Sequence, residues 1–313
     1  MGKSKKAVYA ALFGNLAIAI AKLIAAIFTG SSAMWAETYH SFSDTMNQVL
    51  LLIGIKSSTR PATETHPFGY GKEQFFWSFL VSTMIFGISG VLSLQQGLDG
   101  LFFNPHQIEN IDINYIILGI SAIFEFNALR IAFKVFSRNI EARGQKLTFK
   151  TILDEFQASK DPTILTVLVE DSAALLGIII ATIGISLTHL TGNVMYDAIS
   201  SLMIGIVLMG FAFFLARENK GLLIGEGISK KDSREIIKSI LTLPEVNKVL
   251  SIRTMYLGPE DVIVAIEVSM ADNLVTDNIE ILISKIEQQV VEVLPYVNRS
   301  RIYVELKDDK MVK

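Results

Sequence analysis

The stretch Ala33–Ile55, AMWAETYHSFSDTMNQVLLLIGI, carries Glu37, His40, Asp44, Asn47 and Gln48 inside an otherwise apolar run. Its length suits a transmembrane helix, which needs ~20 residues to cross a ~30 Å hydrocarbon core. At ~100° per residue the five polar positions fall within an arc of about 100°, so one face of this helix is polar. Ionisable groups at membrane depth are costly and face a bundle interior or a water-filled cavity. A polar stripe can serve merely to bond neighbouring helices, but a His and an Asp four residues apart exceed what helix packing requires. His40 and Asp44 point the same way and offer one ion an imidazole nitrogen and a carboxylate oxygen, ordinary zinc chemistry.

Five more apolar runs of similar length flank this one: Ala7–Phe28, Gln74–Gly97, Ile113–Phe136, Thr163–Leu187 and Val194–Ala216. An α-helical membrane protein with six transmembrane helices in a 1–220 transport domain is expected. Basic residues alternate between connections. Lys3, Lys5 and Lys6 precede the first span; Lys56, Arg60 and Lys72 follow the second. Lys134, Arg138, Arg143, Lys146, Lys150 and Lys160 surround the fourth connection, and Arg217 and Lys220 follow the last span. Gly30–Ser32, Leu98–Asp112 and His189–Asn193 contain neither Lys nor Arg. The positive-inside rule then puts both termini in the cytoplasm. The first apolar run is too long for a secretory signal's h-region of ~7–15 residues. Without an Arg-rich transit extension before it, a bacterial cytoplasmic (inner) membrane is expected.

Charged residues are 19% of the chain and hydrophobic ones 50%. The net charge of −3 gives no hint of nucleic-acid binding, and the lack of cysteine excludes disulfides and thiolate sites. Any metal must be held by oxygen and imidazole nitrogen. After Gly227 the texture becomes that of a soluble α+β domain, 228–308. Ser229 and Asp232 start a helix bearing Ile236, Ile237, Ile240 and Leu241. Strands over Val246–Tyr256 and Asp261–Met270 meet at a Gly258–Pro259 turn, and a helix with Leu282, Ile286 and Val290 leads to a strand at Arg301–Leu306. The layout is αββαβ, ferredoxin- or metallochaperone-like, with two helices on one face of a sheet.

The fifth span contains Glu170 and Asp171. At ~1.5 Å per residue, Asp44 lies about 16 Å and Asp171 about 18 Å below the outer surface of a ~30 Å core, with Glu125 of the fourth span near the same depth. These carboxylates and His40 converge near the bilayer centre, where transporter sites lie. Adjacent helical residues diverge by ~100°, so Asp171 is assigned to the metal and Glu170 or Glu125 to a supporting or proton-path role. Glu125 reads equally as a buried acid paired with Lys22 or Arg130. Lys22 shares a face with Asn15 and reads as a side chain reaching the outer interface. Asp197 reads as a charge at a helix N-terminus. His106 and His189 read as bystanders in outer connections.

At TGSSAMWAETYHS (Thr29–Ser41), HPFGYGK (His66–Lys72) and the His40/Asp44 pair, the sequence resembles the cation diffusion facilitator family. HSFSDTMNQ (His40–Gln48), KDPT (Lys160–Thr163) and LVEDSAALLG (Leu168–Gly177) most resemble its zinc transporter 9 subgroup. The resemblance covers nearly the whole chain. It implies a homodimer exchanging metal for protons by alternating access, with a site shared between the second and fifth spans. Members usually present His or Asp where this chain has Val167; the subgroup is apolar there. The ligand set is then His40, Asp44 and Asp171, with water or a carboxylate such as Glu37 or Glu125 completing it, and Asn47 nearby in support. Thr63 and Tyr70 stand where an accessory site's ligands often occur, leaving His66 a structural or gating role. The C-terminal domain has no histidine, so the family's regulatory zinc cluster is not expected there.

The expected activity is transport of a divalent cation, zinc ahead of manganese, iron or cobalt, with protons as counter-ion and no cofactor. An intramembrane metal-dependent hydrolase would need a positioned nucleophile or substrate motif, and none is evident, so the chain is not read as an enzyme. A scaffold whose C-terminal domain recruits partners is the remaining alternative.

Overall fold

The computed structural model describes residues 2–105, 107–142, 146–158 and 162–307. His106, Arg143, Lys160 and Asp161 lie outside the described residues, as do the side chains of Lys3, Lys5 and Lys6. The chain divides into two compact units, Met1–Ile55 with Phe76–Asn219, and Lys56–Phe75 with Lys220–Lys313.

The first unit is built of long helices: α1 (Gly2–Thr29), α2 (Ser32–Ser58), α3 (Glu73–Met84), α4 (Val91–Phe102), α5 (Ile111–Ala142), a short α6 (Phe149–Ala158), α7 (Pro162–Thr191) and α8 (Met195–Ile224). The ends of α2, α3 and α8 run into the second unit. A π-helical turn, Ile85–Gly90, joins α3 to α4 and makes one span of them. Among the described residues, five spans are long and apolar enough to cross a membrane: Leu12–Thr29, Glu73–Phe102, Ile111–Arg138, Pro162–Thr191 and Met195–Ile224. The sixth, α2, is 27 residues long, and the polar face that gives it interest lowers its hydropathy.

In α2, Glu37, Thr38, His40, Ser41, Asp44 and Asn47 are buried, while Met46, Val49, Leu52, Ile53 and Ile55 are exposed. That inversion is what a hydrocarbon solvent demands: apolar side chains turn outward, and polar ones find partners inside. Thr38 and Thr45 return their hydroxyls to the carbonyls of Met34 and Ser41 at 2.8 and 2.9 Å. Small residues allow close helix contacts, since apolar burial drives little association in lipid. Gly97 lies against Ala198 and Leu202, Gly205 against Leu94, and Gly184 against Ser200.

Two local details differ from the sequence reading. Helix α6 falls inside what reads as a connection; its Phe149, Ile152 and Phe156 are three or four residues apart, a helical spacing. His189 belongs to the last turn of α7 rather than to an outer connection, because the helix continues past the end of its apolar run.

In the second unit, the C-terminal segment forms α9 (Lys230–Ile240), β1 (Val246–Gly258), β2 (Asp261–Met270), α10 (Thr276–Val293) and β3 (Ile302–Leu306). The sheet order is β1-β2-β3, with β1 antiparallel and β3 parallel to the central β2. The Ser229 hydroxyl accepts from the Asp232 amide at 3.1 Å and caps α9. Val262, Val264, Ile266 and Val268 of β2 meet Ile236, Ile240, Leu282, Ile286 and Val290 in one apolar core. The HPFGYGK segment belongs to this unit. Phe75 enters the same core. The Arg301 guanidinium pairs with Asp261 at 3.1 and 3.2 Å and donates to the Phe68 carbonyl at 2.8 Å. His66 stacks on Tyr70 with ring centroids 4.4 Å apart, and Arg60 lies 4.0 Å over that ring.

A Cβ at Gly71 would collide with the Leu257 carbonyl oxygen. Gly71→Val is therefore expected to destabilise the second unit by about 1–3 kcal/mol. The check is the thermal midpoint of the purified full chain together with amide-exchange protection along β1, both of which should fall.

Candidate metal-transport site

Each functional side chain here is placed by an obligation of the backbone that carries it. Two residues separate the end of α1 from the start of α2, whose first amides have no partner inside the helix. Asp197, in the first turn of α8, supplies one. Its carboxylate accepts from the Ser31 hydroxyl at 2.7 Å, the Ser32 amide at 2.5 Å and the Ala33 amide at 3.3 Å. Asp197 is thus a charge at a helix N-terminus, as its position suggests, but it serves α2 as well as α8. Only the tertiary fold brings the two helix starts together.

About one to four turns deeper, α2 carries Glu37, His40, Asp44 and Asn47. His40 is 1% exposed, and its Nδ1 lies 3.4 Å from Asp44 Oδ1. Among the described residues, neither imidazole nitrogen has a hydrogen-bond partner, nor does Asp44 Oδ1 or Asp171 Oδ2. Buried polar atoms without partners are rare and point to a ligand or a functional role. Asn47 donates through Nδ2 to Glu170 Oε1 at 3.0 Å, tying α2 to α7. Asp44 is within electrostatic reach of Glu170, Glu125, Lys22 and Asp171. Glu170 is buried, whereas Asp171 and Glu125 are half-buried. Among the described residues, no three His, Asp or Glu side chains already stand close enough to hold a metal ion. His40 and Asp44 are together, and Asp171 belongs to the same charged region without completing a set.

Lys22 corrects the sequence reading. It does not reach an interface: it is fully buried, and its Nζ donates to Glu37 Oε2 at 2.7 Å, also fully buried. Snorkelling fails because the nearest compensation for the ammonium is a carboxylate on the adjoining helix. Glu37 in turn rests on Gly177 of α7, where a Cβ would strike Oε1. The clue in the sequence was Gly177 closing the LVEDSAALLG run, but its counterpart could not be named from spacing. Val167, where family members usually carry a ligand, packs beside the apolar cluster of Leu51, Val81, Val169, Ala212 and Leu215.

Residues 8–224 match the model of the cation efflux transmembrane domain. The chain belongs to the cation efflux family. It is a multi-pass membrane protein of that family. It is 33% identical over 255 residues to the Homo sapiens protein named Proton-coupled zinc antiporter SLC30A9, mitochondrial, covering 82% of this chain and 44% of that one. It is 29% identical to Metal tolerance protein C4 of Arabidopsis thaliana, covering 88% of this chain and 59% of the relative. The chain thus spans about half the length of these curated relatives. A solved nickel form of a MamM C-terminal domain variant covers 25% of this chain at 13% identity, with a TM-score of 0.23.

Removing the Asp197 carboxylate should leave three donors at the α2 N-terminus without their acceptor. Asp197→Ala is expected to cost about 0.5–2 kcal/mol, the usual range for a lost helix cap. Faster amide exchange at Ser32 and Ala33 would locate the loss, and Asp197→Asn should recover part of it.

Proposed function

We propose that this protein moves a divalent cation, zinc foremost, across its membrane in exchange for protons. The observation that carries the proposal is the His40/Asp44 pair: buried within a spanning helix, aimed inward, with both imidazole nitrogens lacking a hydrogen bond. A structural polar stripe would have satisfied those atoms. The likeness to a relative named as a proton-coupled zinc antiporter supports the same reading.

In this reading His40 Nδ1 or Nε2, Asp44 and Asp171 ligate the metal, and water or Glu125 completes the set. Motion of α7 against α2 brings Asp171 in, the Asn47–Glu170 bond keeping the helices in register. Metal ligands must be deprotonated, so metal and protons compete for the same lone pairs. A proton gradient then loads protons on one side and releases metal there. Residues 1–220, apart from the segment Lys56–Phe75 that folds with the second unit, form the transport domain and 228–308 a cytoplasmic αββαβ domain. Both termini face the cytoplasm of a bacterial inner membrane, and the working form is a homodimer. Transport, not hydrolysis, is the output.

Val167 favours weighing manganese, iron and cobalt beside zinc. An oxygen-rich donor set that lacks a second imidazole accommodates harder ions better than a two-histidine site would.

The test is metal-dependent proton flux in vesicles reconstituted with the full chain, using a panel of divalent ions with and without a pH gradient. His40→Ala and Asp44→Ala are each expected to abolish it, while transport in the unmodified protein should rise with the imposed gradient. Undiminished flux in both variants would reject the site, and flux with manganese but not zinc would reject the choice of metal.

A further inference from the structure

We infer that Lys22 is a specificity- and release-determining residue of the transport site: a tethered cation that holds Glu37 away from the metal and offsets one carboxylate charge, so that a divalent ion binds weakly enough to leave. This rests on the transport reading above.

The geometry is a closed pair. Lys22 on α1 meets Glu37 on α2 at 2.7 Å, both side chains fully inaccessible. The other Glu37 oxygen has no hydrogen-bond partner and sits where only a glycine, Gly177, leaves room. Glu37 is therefore held between α1 and α7 rather than directed along α2 towards His40, although three residues of spacing put it on the same helical face. The ammonium's field extends beyond its partner. Glu125 and Asp44 both feel it, and so does His40.

Charge balance gives the pair its function. Glu37, Asp44, Glu125, Glu170 and Asp171 share this region, and the charge of Lys22 reaches Asp44. A divalent ion among so many carboxylates, at reduced dielectric, would bind tightly and leave slowly. Transport needs a site favourable enough to enter but weak enough to exit. A lysine anchored on a neighbouring helix lowers the negative potential without occupying a ligand position. If the pair served only to join α1 to α2, breaking it through either residue alone would change stability and leave metal affinity alone.

A mutant cycle on the purified full chain separates these roles, with zinc alone as the probe in calorimetric titration. Glu37→Gln leaves the ammonium unopposed and should weaken binding by on the order of tenfold or more. Lys22→Met should tighten binding by a similar factor and slow vesicle turnover. Lys22→Met with Glu37→Gln should return affinity to near that of the unmodified protein, because neutral replacement of a buried pair is often tolerated by the fold. Should Lys22→Met alone fail to fold, the comparison of Glu37→Gln with the double variant decides. A double variant as weak as Glu37→Gln would make Glu37 a ligand and overturn the inference. His40→Ala supplies the control. Lost binding there beside unchanged affinity in all pair variants overturns this inference alone, whereas undiminished binding in His40→Ala overturns the site reading with it.

Discussion

A helix bearing Glu37, His40, Asp44 and Asn47 can lie in hydrocarbon only if its neighbours take up what those groups require, and most of the membrane unit is arranged to meet that demand. Lys22 reaches from α1 to Glu37, Glu170 answers Asn47 from α7, and Asp197 accepts from the first residues of α2. Each contact binds a different helix to α2. The polar face thereby becomes the organising surface of the bundle, with glycine-lined contacts such as Gly177–Glu37 setting how near the helices come. What this scheme leaves over is as telling as what it satisfies. Among the described residues, His40 receives no hydrogen bond at either nitrogen, and Asp44 Oδ1 one turn on and Glu37 Oε1 are left without a partner too, so what the fold does not satisfy on α2 includes its chemical centre.

The two units follow opposite rules because they face different solvents. In α2 the apolar side chains turn outward and the polar ones inward. In the second unit Val262, Val264, Ile266 and Val268 are fully buried against α9 and α10, and the charged residues stay at the surface. There Lys307 donates to Glu267 at 2.7 Å, holding that half-buried carboxyl below its usual range. The HPFGYGK segment follows the second rule. Phe75 is part of the apolar core, and Arg301 fastens the Phe68 backbone.

Much of this was legible along the chain. Six apolar runs, the polar arc of α2 and the αββαβ order all follow from periodicity, which is a local property of backbone geometry. The cap at Ser229 was readable for the same reason, since donor and acceptor are three residues apart. Boundaries were less so: α7 carries His189 beyond the apolar run, and α6 lay unnoticed within a basic connection.

Sequence alone thus determined which residues had to be hidden from lipid and which element carried each, because hydrophobic spacing is written residue by residue. It could not determine who would meet whom. Lys22 read as a side chain bound for the interface, because nothing in α1 announces a carboxylate waiting 15 positions later on α2. That Asp197 would cap a helix 165 residues away, and that Gly177 would seat Glu37, likewise depended on the packing of distant helices. Buried charges choose partners by three-dimensional proximity at low dielectric, and proximity of that kind exists only once the chain has folded.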